Sequence, residues 1–277
     1  MHSSVPVVCP ICSETLLRSG RSYTCQKRHN FDLSSEGYLS LLHGRNNYQQ
    51  IGDDKLMVQA RVRVHQLPVF LELAKEISSL CPQMSTSCCI LDIGCGDGFF
   101  LSQVTHAARV PCLGVGVDVS KEALARAAKS YPNLFFVRTD ASHNRLPFDD
   151  SSFGLVMSIF APRPIEEIRR VLNVDGSWLV VTATQEHLRE IRHFLPLAAI
   201  GTGKLEVPTS RSYSILKNST FRYELRVAHR DLISIIEMSP SIYRLRREFG
   251  DTWNDRLPEE LRVTFSFDIT LLGKKAQ

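Results

Sequence analysis

Two groups of residues in this chain have the types and spacing to do chemistry. Cys9-Pro10-Ile11-Cys12 and Cys25-Gln26-Lys27-Arg28-His29 set three thiols and an imidazole in two short chelating turns. Paired turns of thiolate and imidazole suit tetrahedral Zn2+, and four protein ligands leave no open position, so Cys9, Cys12, Cys25 and His29 predict a structural metal site. His2 and His43 lie outside the paired spacing and are weaker candidates. The second group is Leu91-Asp92-Ile93-Gly94-Cys95-Gly96-Asp97-Gly98, between an apolar run and a helical pattern. A glycine-rich turn in that context brings backbone amides against a nucleoside, and its alternate glycines permit close approach.

A dinucleotide fingerprint with glycines at 94 and 96 would place its third at 99, where the chain has Phe99; the glycine falls at 98 instead. That spacing, led in by Asp92, resembles class I methyltransferases, which bind the sulfonium nucleoside S-adenosylmethionine without a pyrophosphate. The next strand ends in Asp118, whose carboxylate can accept from ribose hydroxyls; the competing role is a helix N-cap, although Ser120 already serves it. Asp140 is open between meeting the adenine edge and capping a turn. His187, after the fifth strand, is open between a ligand contact and a structural role. The loop Ser158-Ile159-Phe160-Ala161-Pro162 faces the methyl acceptor in such a topology. It lacks the Asn-Pro-Pro-Tyr arrangement used on exocyclic amines, which favours a ring nitrogen or another acceptor. No residue declares itself as a general base; Asp140 and Glu166 are candidates, with helix N-terminal charge as the alternative for Glu166.

The elements that must position these residues alternate. Strands are predicted at about 88–93, 113–119, 134–139, 153–160 and 176–183, with helices at about 98–108, 120–130, 164–173 and 185–194 between and after them. Near-continuous apolar strands point to a parallel sheet covered on both faces. Two further strands, about 221–228 and 263–272, flank a helix at 230–238, and 201–219 shows turn residues without a period. Upstream, Leu56 to Leu80 has helical spacing that Pro68 breaks in two. The fold class is α/β, a Rossmann-like class I methyltransferase with a mostly parallel seven-stranded sheet and an N-terminal zinc-binding module. The expected domains are a zinc-binding RNA-recognition module at 1–44, a linker and helical segment at 45–86, and the cofactor-binding domain at 87–277. The first segment has too few apolar residues for a core of its own, and metal binding would supply the missing folding energy.

Composition bounds the rest. A chain of 277 residues, 43% hydrophobic and 22% charged, is an ordinary globular protein with no apolar run long enough to span a membrane. The start lacks a secretory pattern, so the expected compartment is the cytoplasm. The net charge of +4 is only mildly basic. Around the cysteine cluster, however, Arg18, Arg21, Lys27, Arg28 and Arg45 accompany Tyr23, Phe31 and Tyr38, as phosphates and unpaired bases require. A solvated basic face over buried aromatics is the plainer alternative.

Together, Cys-Pro-x-Cys, the run from Cys25 to Asp32, Glu36-Gly37-Tyr38-Leu39-Ser40-Leu41-Leu42 and the turn from Leu91 to Gly98 resemble the RlmA family of 23S rRNA guanine-N1 methyltransferases over nearly the whole chain. The resemblance implies methylation of a guanine N1 in a 23S rRNA hairpin near the peptide exit tunnel, where macrolide antibiotics bind, and a possible homodimer. By position, it implies zinc ligation by Cys9, Cys12, Cys25 and His29. It implies cofactor contacts at Gly98, Phe99 and His187, and at Phe70, where the family commonly has Tyr; the missing hydroxyl removes a hydrogen bond there. The rival readings are a methyltransferase for a small metabolite, and a non-catalytic RNA-binding or antibiotic-resistance accessory protein. RNA affinity and cofactor consumption separate them.

Overall fold

Strand and helix alternate as the apolar pattern demands, and the resulting sheet places the strand ends that carry Asp92, Asp118 and Ile159 along one edge. The computed structural model describes residues 7–42, 52–82, 88–142, 145–196 and 212–275. Three short strands open the chain, β1 (Leu17–Ser19), β2 (Ser22–Thr24) and β3 (Asn30–Asp32), which form an antiparallel sheet of their own. Then come β4 (Leu39–Ser40), α1 (Lys55–Val64), α2 (Pro68–Leu80), β5 (Cys88–Ile93), α3 (Phe99–Ala107), β6 (Cys112–Asp118), α4 (Lys121–Ser130) and β7 (Phe135–Arg138). The chain continues through β8 (Phe153–Ile159), α5 (Ile165–Val171), β9 (Leu172–Ala183), β10 (Tyr213–Ala228), α6 (His229–Glu237), α7 (Ser241–Phe249) and β11 (Glu260–Lys274).

The main sheet has the order β10-β11-β9-β8-β5-β6-β7-β4, with β11 antiparallel to both neighbours and the rest parallel. It therefore has eight strands rather than the expected seven. The extra one, β4, comes from the N-terminal segment and pairs Leu39 with Val137 and Ser40 with Arg138 on the free edge of β7. The short strand covers an edge that would otherwise be open, and it is too brief to show a period in the sequence.

Alternation along the strands splits the core into two layers. On one face Ile90, Leu155 and Leu179 pack with Val69, Phe70 and Leu73 of α2, Leu101 of α3 and Leu232 of α6. On the other, Leu91, Val115, Val137 and Trp178 pack with Ile168 and Val171 of α5 and with Val7, Leu16, Tyr23, Leu39 and Leu41. The N-terminal segment thus borrows the sheet's core, as its shortage of apolar residues requires. Tyr23 and Tyr38 are buried, Tyr23 lying 5.8 Å from the ring of Phe135. The plainer sequence alternative holds for these two rings: the aromatics face inward and the exposed face carries Arg18, Arg21, Lys27 and Arg28.

Three further expectations are corrected. No α-helix spans 185–194: Leu188 has φ 54° and donates its N–H to Thr264 O at 2.8 Å, which stops a helix, and only a 3-10 turn at Ile191–His193 forms. Of the segment 201–219, residues 201–211 lie outside those described, and from Tyr213 the chain is not a loop but the start of β10, buried at Tyr213 and exposed at residues 215–218. Solvent on both sides of that edge strand erases the alternation that would have marked it. Helix α7 was not anticipated at all, and β9 starts at Leu172, inside the predicted helix at 164–173. Among the described residues no helix is long and apolar enough to cross a membrane.

Candidate cofactor site and metal centre

The metal centre is built from two matching turns. After Cys12, Ser13 turns back with φ 60° and donates its N–H to Cys9 O; before His29, Arg28 adopts φ 64° and donates to Cys25 O. The four ligand atoms of Cys9, Cys12, Cys25 and His29 all lie within 4.8 Å of one another. Individual separations are 3.5 Å for Cys9 Sγ to His29 Nδ1, 3.4 Å for Cys25 Sγ to the same nitrogen, and 3.7 Å for Cys12 Sγ to Cys25 Sγ. Tetrahedral bonds of about 2.0–2.3 Å give edges of about 3.4–3.8 Å, so the donor set fits Zn2+. Burial raises the Cys25 thiol, but hydrogen bonds from the His29 and Lys27 backbone and from Cys12 and His29 outweigh it and bring the pKa down to about 7. That favours the thiolate a metal needs.

The second site is a cavity of about 380 Å³ at the C-terminal ends of β5, β6, β8 and β9, where open parallel sheets hold their ligands. Gly94, Gly96 and Gly98 all take positive φ, which lets the chain reverse between β5 and α3. A Cβ at Gly94 would stand 2.7 Å from Ala161 Cβ, so glycine there lets the loop after β8 close on the turn. Asp118 fixes the turn from behind: its Oδ2 accepts from Gly96 N at 2.9 Å and its Oδ1 from Ser120 N at 2.8 Å. The N-cap of α4 is Ser120, whose Oγ accepts from Ala123 N. Each Asp118 oxygen retains acceptor capacity toward the cavity.

The electrostatics are unusual for a small space. Burial, then the charges of Asp118 and Asp97, push the Asp92 carboxyl well above the usual range, and Asp92 Oδ1 has no hydrogen-bond partner. Burial also lifts Asp118, although its two backbone N–H donors pull the other way. Burial would raise Asp97 too, but the hydrogen bond from His65, 3.2 Å from its Oδ2, holds it below the usual range. A ligand carrying positive charge relieves the crowding of these carboxyls, which suits a sulfonium nucleoside.

Of the residues singled out by sequence, Phe70, Gly94, Gly96, Asp118 and His187 line the cavity. Asp92, Gly98 and Phe99 lie behind it: Asp92 is 2% exposed, and Phe99 stacks on His65 at 4.5 Å. Asp140 is outside the lining and accepts from Ser142 N at 2.9 Å, as a turn-capping Asp does. Glu166 is exposed and also outside it. His187 accepts the Ser266 N–H on Nδ1 at 3.4 Å, so its ring proton belongs on Nε2. Burial, then the positive charge of Arg192, keep that imidazole neutral with its pKa pushed down to about 3.

Sequence reasoning missed half of the wall. Asp53, Arg61 and His65 come from α1 and the residues flanking it, Phe100 from α3, and Met238, Ser239 and Pro240 from the turn between α6 and α7. Asp53 caps nothing; its carboxylate pairs with Arg61 at 2.6 Å while its carbonyl accepts from Ser120 Oγ. The mouth is framed by Phe160, 42% exposed with φ 55°, whose ring lies 4.9 Å from that of Phe267.

Comparison with known proteins finds family patterns over the N-terminal segment and over the glycine-turn half of the sheet. The family pattern described as "RlmA, N-terminal", a zinc ribbon, matches residues 7–46, and the methyltransferase domain pattern matches residues 90–176. A Micromonospora griseorubida protein provisionally named a 23S rRNA (guanine-N(1)-)-methyltransferase is 31% identical over 257 residues, covering 85% of this chain and 86% of its own. The Streptomyces fradiae 23S rRNA (guanine(748)-N(1))-methyltransferase is 30% identical over 239 residues, 84% of either chain. Among solved structures, a Geobacter sulfurreducens S-adenosylmethionine-dependent methyltransferase in complex with S-adenosyl-L-homocysteine superposes with TM-score 0.50 at 14% identity, over 80% of this chain and 99% of that one, which shows a shared fold.

Proposed function

The chain belongs to the RlmA family of 23S rRNA (guanine-N1)-methyltransferases, and on that premise we propose that it methylates N1 of a guanine in 23S rRNA with S-adenosylmethionine as donor. The observation that carries this reading is the joint presence, in one chain, of the four-ligand zinc cluster and the glycine-turn cavity, within a sequence that aligns with those relatives over about 85% of its length. The bound cofactor supplies an electrophilic methyl group. The protein's work is to bind, orient and exclude water.

In this reading Asp118 takes the ribose hydroxyls on its remaining lone pairs, Gly94 and Gly96 give the ligand room along the backbone, and Gly98 behind them lets the turn pack against Phe136 and Tyr131. Asp92 and Phe99 support that turn from beneath, and Phe70 packs beside the cofactor without the hydroxyl of the family's Tyr. His187, neutral at physiological pH, offers its Nε2–H as a donor. Phe160 presents a ring face at the mouth, where a planar base can stack, and its positive φ is backbone strain of the sort retained at functional sites. Rate acceleration comes chiefly from aligning guanine N1 with the methyl group. Neither Asp140 nor Glu166 has geometric support as the base that receives the N1 proton, because both lie outside the lining.

The exposed basic face of residues 7–42 grips an rRNA hairpin near the peptide exit tunnel, with Cys9, Cys12, Cys25 and His29 holding zinc as a structural ion. A homodimer, a cytoplasmic location and a link to macrolide resistance belong to the same proposal. The test is methyl transfer from labelled S-adenosylmethionine to unmodified bacterial 23S rRNA, followed by primer extension. One new stop in an exit-tunnel hairpin is the expected result. Labelled RNA without a stop would mean another acceptor atom, and absence of label would favour a small-molecule substrate.

A further inference from the structure

Among the described residues lining the cavity, Arg61 is the only lysine or arginine, set among the carboxyls of Asp53, Asp97 and Asp118. Its guanidinium is held from two sides. Nε and Nη2 donate to Asp53 Oδ2 at 2.9 and 2.6 Å, and Nη2 donates also to Met238 O at 3.0 Å, in the turn that closes the cavity. These bonds use Nε and Nη2 and leave the two N–H groups of Nη1 without a partner among the described residues. The side chain as a whole is 23% exposed, so it is partly withdrawn from solvent. The stem of Arg61 passes over the glycine turn: a Cβ at Gly96 would lie 3.6 Å from Arg61 Cδ. A rigid cation beside the turn, with unspent donors in a cavity whose other charged side chains are the acids Asp53, Asp97 and Asp118, is placed to receive an anion.

We infer that Arg61 binds the α-carboxylate of the cofactor's amino-acid moiety through Nη1. The inference rests on the cavity being the S-adenosylmethionine site. A carboxylate entering beside Asp53, Asp97 and Asp118 would be repelled without a compensating charge, and Arg61 is the one fixed positive group there. Asp53 and the Met238 carbonyl hold the guanidinium before the ligand arrives, so little side-chain entropy is lost on binding.

The test uses isothermal titration calorimetry of the zinc-loaded full chain with two ligands. S-adenosylhomocysteine carries the amino-acid group; 5′-methylthioadenosine keeps the nucleoside and sulfur but lacks it. Arg61→Gln and Arg61→Ala should weaken S-adenosylhomocysteine by roughly 10- to 100-fold, the worth of a charge-assisted hydrogen bond, and change 5′-methylthioadenosine by less than about 3-fold. Retained 5′-methylthioadenosine binding also shows that the variants fold. Arg61→Lys should fall between, since it keeps the charge and loses the planar fork. Unchanged S-adenosylhomocysteine affinity in Arg61→Gln would overturn the inference. So would equal losses for both ligands, which would mean that Arg61 acts only by tying α1 to the α6–α7 turn. If the unaltered protein bound neither ligand, the cofactor reading of the cavity would itself fall, and with it this assignment.

Discussion

The metal centre closes within the stretch from Cys9 to His29, whereas the cavity draws its lining from Gly52 through Phe267. The first is a local object: two turns, each fixed by its own backbone hydrogen bond and one residue of positive φ, converge because a short hairpin joins them. The second is a meeting of strand ends, a helix upstream of the sheet and a turn far downstream. A local site needs its ligand for folding energy, because so short a segment has no core of its own and only borrows that of the sheet. A distributed site inherits its rigidity from the sheet and should survive without ligand.

The largest expected effect tests that contrast directly. Stripping zinc with a chelator, or replacing Cys25 with Ser, should expose the amides of residues 7–33 to rapid hydrogen exchange while β5, β6 and β8 stay protected. Structural zinc is worth roughly 10–16 kcal/mol to such modules. Protection that persists in 7–33 without metal would break the comparison, because the packing of Val7, Leu16 and Tyr23 against the sheet would then suffice.

A smaller effect is expected at the cavity. Asp118→Ala removes the acceptor of both Gly96 N and Ser120 N together with the candidate ribose ligand. Its affinity for S-adenosylhomocysteine, measured by calorimetry, should fall by roughly 30- to 150-fold, or about 2–3 kcal/mol, with an unaltered melting profile for the zinc module. Asp118→Asn, which keeps one carbonyl acceptor, should lose less. A collapse of the zinc module in either variant would show that the two sites are coupled through β4 and β7, contrary to the contrast drawn above.

The smallest effect sharpens the account of the cavity wall. His187 has a folded pKa of about 3, below the ordinary value of about 6.5 for the unfolded chain. As pH falls below about 6.5 the unfolded chain takes up the proton first. Stability contributed by the neutral ring is therefore present above about pH 6.5 and is lost progressively toward pH 3. Urea midpoints of the unaltered protein should drop more between pH 7 and pH 4.5 than those of His187→Gln. Parallel curves would mean that the ring is open to solvent and ordinary in its titration.

What could be read from sequence follows the same division. Cys9, Cys12, Cys25 and His29 announce themselves by spacing, because chelating turns are set by a few bonds of backbone. Asp92, Gly94, Gly96, Gly98 and Asp118 are legible because a strand, a tight turn and a helix start are all local events. Arg61, Asp53 and His65 carried no signal: one lies at the edge of a polar stretch and the others on a helix that looked like a connection. The start of β10 was invisible for a different reason, since an exposed edge strand buries too little to impose alternation on its residues.

The sequence by itself determined the fold class, the metal ligands and the glycine turn, all of which depend on contacts within about one element or one turn. Only the tertiary structure decided that β4 would extend the sheet to eight strands, that Leu188 would cut short a helix after β9, and that α1 would bring Arg61 over Gly96. Those outcomes depend on edges, carbonyls and faces supplied by segments far away in the chain. Local residue patterns hold no record of such partners until packing brings them together.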